Sequence, residues 1–158
     1  MNMSASMQSI APKGFTDYMK RVHVVAAVIY EPQNRVINNA EAGVVGRILI
    51  SCRPTHVHKG GFWEFPGGKL EIGEDARAGL VRELYEELNI EVTEATPFMQ
   101  ISHDYPDKKV FLDVWIVSSF IGEERGIEGQ RISWVPLNEI SNYAFPEANQ
   151  SVIDKLLS

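Results

Sequence analysis

Glu83, Glu86 and Glu87 stand in the segment Arg82-Glu83-Leu84-Tyr85-Glu86-Glu87. On an α-helix, positions i, i+3 and i+4 share one face, so the three carboxylates would converge. Glu83 and Glu87 are like charges at i, i+4, a spacing that weakens a helix, and Arg82 offsets part of this by reaching Glu86. Two chemistries fit such a face. One is a solvated acidic surface, the commoner fate of a Glu-rich helix. The other is an oxygen-only site for a hard divalent cation, which suits Mg²⁺ or Mn²⁺ better than zinc or copper. The surrounding residues decide between them.

The elements that must position these carboxylates can be read from hydrophobic periodicity. Ala76, Leu80, Leu84 and Leu88 recur every four residues and predict a helix over 74–89 with an apolar stripe turned to a core. Residues 21–30 (RVHVVAAVIY) form a β-branched, apolar run expected to be a buried strand, and 46–53 a second one. Further strands are expected at 97–103, 109–120 and 131–135, and a short extended piece at 62–65 within a Gly-, His- and Pro-rich loop. A last helix is expected over 147–157, with Val152, Ile153 and Leu156 inward. Residues 31–46 carry turn formers and read as an extended loop. Residues 1–18 lack periodicity and read as a mobile arm, leaving 19–158 as one domain. Strands interrupted by two helices predict an α/β (α+β) fold, a mixed β-sheet sandwiched between helices.

Composition narrows the partners. The net charge of −6 argues against direct nucleic-acid binding, which calls for a basic stripe. No apolar run is long enough to cross a bilayer, and the first residues lack the basic and apolar regions of a secretory signal. Cys52 is the sole cysteine, so no internal disulfide can form, and a cytoplasmic location is expected. His23, His56 and His103 show no metal-site spacing, and His58 lies in the loop before the helix. Oligomeric state has no signature in the sequence.

From Gly68 the chain runs GKLEIGEDARAGLVRELYEELNI, which resembles the signature of the Nudix hydrolases. Gly68, Glu74, Arg82, Glu83, Leu84, Glu86, Glu87 and Ile90 match it. Six of these are fixed identities, each at roughly 6% usage, so a chance match has odds near ~10⁻⁷ per start. Asn89 stands where the family has Gly, at the helix-closing position where a left-handed residue is favoured and Asn is next best. Trp63–Lys69 (WEFPGGK), Asp104-Tyr105-Pro106-Asp107, Glu128-Gly129-Gln130 and Phe145-Pro146-Glu147-Ala148-Asn149 resemble landmarks of the MutT-type 8-oxo-dGTP pyrophosphohydrolases, in the right order.

The resemblance implies a Mg²⁺-dependent enzyme, with Mn²⁺ as a substitute, that cleaves a nucleoside triphosphate to the monophosphate and pyrophosphate. It implies that Glu83, Glu86, Glu87, Glu128 and the backbone carbonyl of Gly67 hold metal, and that Arg82 orients the carboxylates. Either Glu83 or Glu128 takes a proton from the attacking water. Arg53 would meet phosphate, or be a surface charge. Phe65 and Tyr105 would line a base pocket, or be plain core. Asn149 would read the purine through its paired donor and acceptor, or merely cap the last helix. Two other functions fit parts of the pattern. One is hydrolysis of a general nucleoside triphosphate, a dinucleoside polyphosphate or ADP-ribose. The other is a Nudix-fold binding module without catalysis, against which the complete carboxylate set speaks.

Overall fold

The computed structural model describes residues 21–35, 46–56 and 60–158. The expected arm at 1–18, most of the loop at 31–46, and His58 lie outside these residues. The β-branched run forms β1 (Val22–Tyr30), followed by β2 (Arg47–Cys52), β3 (Trp63–Glu64) and β4 (Gly67–Lys69). Helix α1 (Ala76–Leu88) comes next, then β5 (Glu91–Asp104), β6 (Lys109–Ile121), β7 (Ile132–Pro136) and α2 (Gln150–Leu157).

The strands form one sheet in the order β3-β2-β1-β6-β5, with β4 also pairing to β1 and β7 to β2. β1 and β6 run parallel, from Val22 opposite Val110 to Ile29 opposite Val117, while the other pairs are antiparallel. The sheet is therefore mixed. Alternation along β1 sends its side chains to two cores. Val25, Ala27 and Ile29 pack with Leu49, Val117 and the α1 leucines Leu80, Leu84 and Leu88. Ala26 and Val28 pack with Ile48, Ile50, Val114 and the α2 residues Val152 and Ile153. Leu80, Leu84, Leu88 and Val152 are fully buried, and burying each leucine stabilises the fold by roughly 1.5–3 kcal/mol. The sheet is thus sandwiched between helices, as the periodicity predicts.

Some boundaries differ from the sequence reading. α1 begins at Ala76 because Asp75 caps it, its carboxylate accepting from the Ala78 N–H at 3.2 Å. The last helical stretch opens with a 3₁₀ turn (Glu147–Asn149) after Pro146, and α-helix follows only from Gln150. β5 starts at Glu91, six residues before the expected 97. Its first half pairs with β6 through register shifts between Val92 and Glu94, Glu94 and Ala95, and Pro97 and Met99, which break the two-residue alternation.

Asn89 ends α1 with φ 61° and ψ 29°, the left-handed conformation, and its N–H donates to the Tyr85 carbonyl at 3.0 Å. Its Nδ2 also donates to the Glu123 carbonyl at 3.2 Å. Glycine at 89 would relieve the strained backbone but lose that side-chain bond, so Asn89→Gly should be close to neutral. Asn89→Val loses both and should cost roughly 2 kcal/mol, lowering Tm by about 4–8 °C. Thermal melts decide this; equal Tm for Val and Asn would show that neither the conformation nor the bond contributes.

Candidate active site

Arg82 organises the acidic face of α1. Its Nε and Nη2 grip Glu74 at 2.7 and 2.8 Å, while Nη1 reaches Glu83 at 2.9 Å and Glu86 at 3.2 Å. Nη2 also donates to the Lys69 carbonyl at 3.2 Å, tying the helix to β4. The guanidinium holds the Glu74 carboxyl down at about 2 and raises its own pKa in return. Glu83 is largely buried, and burial pushes its pKa up against the pull of Arg82. Gly68 leaves room for it: a Cβ there would run into the Glu83 carboxyl group.

Among the described residues, Glu87 has no such cation. Burial raises its pKa to about 8, with further repulsion from Glu83, Glu64 and Glu128 and partial relief from a hydrogen bond donated by the Gly67 N–H. A Cβ on Gly67 would overlap the Val25 carbonyl, so only glycine allows the β4 backbone to lie this close to β1.

The loop after β6 wraps the C-terminal end of α1. The N–H groups of Arg125 and Ile127 donate to the carbonyls of Leu88 and Glu87 at 2.9 and 3.0 Å, satisfying groups that a helix end leaves open. Arg35 grips Glu124 at 2.8 and 2.6 Å, and Trp134 Nε1 donates to Glu124 at 3.0 Å. This loop carries Glu128, exposed yet near enough to disfavour the charge on Glu87.

A cavity of about 450 Å³ opens beside Glu87. It brings together Arg53, Phe65, Gly67, Glu87, Tyr105 and Asn149 of the residues expected from sequence. Glu83, Glu86, Glu128 and Arg82 are not among its walls. Glu86 points outward, its side chain 56% exposed.

Phe65 and Tyr105 serve both readings at once: each is buried in the α2-side core and each lines the cavity. The Phe65 ring lies 5.1 Å from that of Phe145, and Tyr105 Oη accepts from the Ala148 N–H at 2.9 Å, fastening the segment that carries Asn149. Asn149 is nearly buried and makes no side-chain cap bond to α2; its Nδ2 reaches only the Pro146 carbonyl, at 3.5 Å. Arg53 Nη1 pairs with Glu64 at 2.6 Å.

Three charged walls were missed by the sequence reading: Glu64, Lys69 and Lys108. Burial raises the Glu64 pKa, partly countered by Arg53, and burial lowers that of Lys108, with Arg53 and Lys69 adding repulsion. Arg53, Lys69 and Lys108 thus gather three cations at one cavity, next to an acidic helix. Lys69 closes the WEFPGGK segment and Lys108 directly follows Asp104-Tyr105-Pro106-Asp107, so their places are visible in the sequence while their convergence is not.

Among the described residues, no three acidic, histidine or cysteine side chains stand close enough to form a ready metal cage. Arg82 holds Glu83 and Glu86 on its own guanidinium, and the carboxylates repel one another. The donor chemistry nevertheless fits a hard cation. The available donors are carboxylate oxygens, and for one of them, Glu87, burial and neighbouring carboxylates disfavour the charge that a cation would favour. Glu83, Glu86, Glu87 and Glu128 are the residues that could hold it. For Gly67, the contact with Glu87 is made by the backbone N–H.

Comparison with known proteins shows what this chain is similar to. A NUDIX domain family model matches residues 42–155. An Escherichia coli 8-oxo-dGTP diphosphatase is 33% identical over 138 residues, covering 87% of this chain and 98% of the relative. An E. coli CTP pyrophosphohydrolase is 31% identical over 140 residues, covering 89% and 94%. A MutT structure, from work on the Aliivibrio salmonicida and Vibrio cholerae proteins, superposes with a TM-score of 0.70 at 40% identity, covering 87% of this chain and 98% of that one.

Proposed function

The chain belongs to the Nudix family, and we propose that it is a Mg²⁺-dependent nucleoside triphosphate pyrophosphohydrolase acting on 8-oxo-dGTP and related purine triphosphates. The products are the nucleoside monophosphate and pyrophosphate, and the effect is to clear oxidised nucleotide from the precursor pool. Relatives carrying the 8-oxo-dGTP diphosphatase name support the substrate class. The observation that carries the reading is one cavity walled by Glu87 from the acidic helix, three cations, and the nearly buried Asn149 amide. Its volume lies in the range of small-ligand sites.

Each residue has a task in this reading. Glu83, Glu86, Glu87, Glu128 and the Gly67 carbonyl hold the divalent cation, with Mn²⁺ able to substitute for Mg²⁺. When bound, the cation offsets phosphate charge and acidifies a water. Arg82 fixes the directions of Glu83 and Glu86. Glu83 or Glu128 accepts the proton of the attacking water. Arg53, Lys69 and Lys108 face the phosphates, for which a guanidinium offers a fixed fork of donors. Phe65 and Tyr105 shape the base pocket, and the Asn149 amide pairs with the purine edge. The reading places the reaction in the cytoplasm, in keeping with a single cysteine, Cys52, that is buried and unpaired. No helix among the described residues is long and apolar enough to cross a membrane.

The similarity to a CTP pyrophosphohydrolase favours a second reading, in which pyrimidine triphosphates are the substrates. Asn149→Ala separates the two. Oxidation at C8 of guanine turns N7 from an acceptor into a donor, so a pocket can discriminate only if a group pairs with the altered edge. Losing such a buried bond costs about 1–3 kcal/mol. In the purine reading kcat/KM for 8-oxo-dGTP therefore falls roughly tenfold to a hundredfold, while that for CTP and dCTP changes little. A wild-type preference for CTP, or equal slowing of every substrate in Asn149→Ala, would rule out the purine reading.

A further inference from the structure

The reaction as described leaves Gln130 without a role, yet this residue of Glu128-Gly129-Gln130 makes two specific side-chain bonds. Its Oε1 accepts from the Glu128 backbone N–H at 2.9 Å, and its Nε2 donates to the Glu87 backbone carbonyl at 3.0 Å. One rigid amide thus bridges two residues assigned to the cation, one on the last turn of α1 and one on the loop beyond β6. A side-chain amide offers a donor and an acceptor on one plane.

The neighbouring contacts explain why the bridge matters. The Arg125 and Ile127 N–H groups also bond the end of α1, but those are backbone bonds that most sequences could make. Glu128 lies beyond them, in a turn closed by the Gly129 N–H on the Gly126 carbonyl at 3.0 Å, with Gly129 at φ 79°. Glycine on both sides gives that turn wide conformational freedom. The Glu128 side chain is exposed, so packing does little to fix it.

We infer that Gln130 is a positioning residue, holding Glu128 in register with Glu87 so that both carboxylates can address one divalent cation. The inference rests on the cation-dependent reading given above. A purely structural Gln130 would serve only to close the end of α1.

Both the cation and the coupling can be measured on the full chain. Mn²⁺ binding is followed by electron paramagnetic resonance for wild type, Gln130→Ala and Gln130→Met; Mg²⁺ activation, kcat and KM are measured in parallel, with Tm in EDTA as the control for folding. Gln130→Met keeps the length of the side chain and guards against collapse of the loop. Both variants should weaken Mn²⁺ binding about tenfold or more and lower kcat roughly ten- to a hundredfold, with KM within about threefold of wild type. The double variant Glu128→Gln/Gln130→Ala should be no worse than Glu128→Gln alone, because the two act through one carboxylate. Unchanged Mn²⁺ binding in Gln130→Met, or losses that simply add in the double variant, would overturn the inference and leave the hydrolase reading standing. Full activity in Glu128→Gln alone would remove Glu128 from the site, and the inference would fall with it.

Discussion

Glu87→Gln should lower hydrolysis of 8-oxo-dGTP by roughly a thousandfold or more at saturating Mg²⁺, while the metal-free variant melts no lower than wild type. Two features make this residue decisive. Glu87 is the one carboxylate of α1 that lines the cavity, and among the described residues it has no cationic partner to neutralise it. Glutamine keeps its length and can still accept from the Gly67 N–H, so the backbone has no reason to move. What disappears is a charge that burial and three neighbouring carboxylates already oppose, and that removal should relieve the folded state. Glu86→Gln is the informative control. Glu86 is exposed, lies outside the cavity and is paired with Arg82, so its loss should cost only about tenfold. Full activity of Glu87→Gln, or of wild type in EDTA, would sink the cation assignment; equal losses at 86 and 87 would show that the helix presents both to the same ligand.

The contrast between these two residues also shows what could be read from the sequence. That 83, 86 and 87 share a face follows from helical geometry alone, and the left-handed Asn89 follows from its place after the last apolar residue of the stripe. The order β3-β2-β1-β6-β5 has no local signature, because the parallel partner of β1 begins at Lys109, nearly eighty residues beyond the end of β1. Everything that depends on this order was illegible in advance. Lys69 and Lys108 meet at one cavity only because β4 and β6 both flank β1. Glu64 reaches the same cavity from β3, through the pairing of Ser51 with Glu64. The first half of β5 escaped for another reason: its bulges and its exposed Glu91, Thr93 and Glu94 leave no alternating pattern to detect. Asn149 was recognisable from the FPEAN segment, but that its side chain makes no cap bond to α2 and lines the cavity is visible only in the structure.

The metal-free protein should lose stability as pH rises from about 5 to about 8.5, and Mg²⁺ should restore it. The sign follows from proton linkage. A carboxyl whose pKa is raised by folding binds its proton more tightly in the native state than in the unfolded chain. Its contribution is fully present below the ordinary glutamate pKa of about 4.5 and is lost as pH rises through the folded value. For Glu87 that value is about 8, raised first by burial and then by Glu83, Glu64 and Glu128. Glu74 works in the opposite direction: held at about 2 by Arg82, it contributes above about pH 4.5, and its share is lost only as pH falls toward 2. Between pH 5 and 8.5 the Glu74 contribution is therefore constant while that of Glu87 declines. A few kcal/mol are at stake, on the order of a 5–10 °C fall in Tm for a chain of this size. A bound cation supplies the positive charge that ionised Glu87 lacks, so the rise in Tm on adding Mg²⁺ should grow with pH. Melts of wild type and Glu87→Gln across this range, in EDTA and in excess Mg²⁺, test each step. The variant in EDTA should show a much flatter profile than wild type. If the two profiles in EDTA are parallel instead, Glu87 does not carry the proton, and the carboxylates beside it are neutralised by some other route.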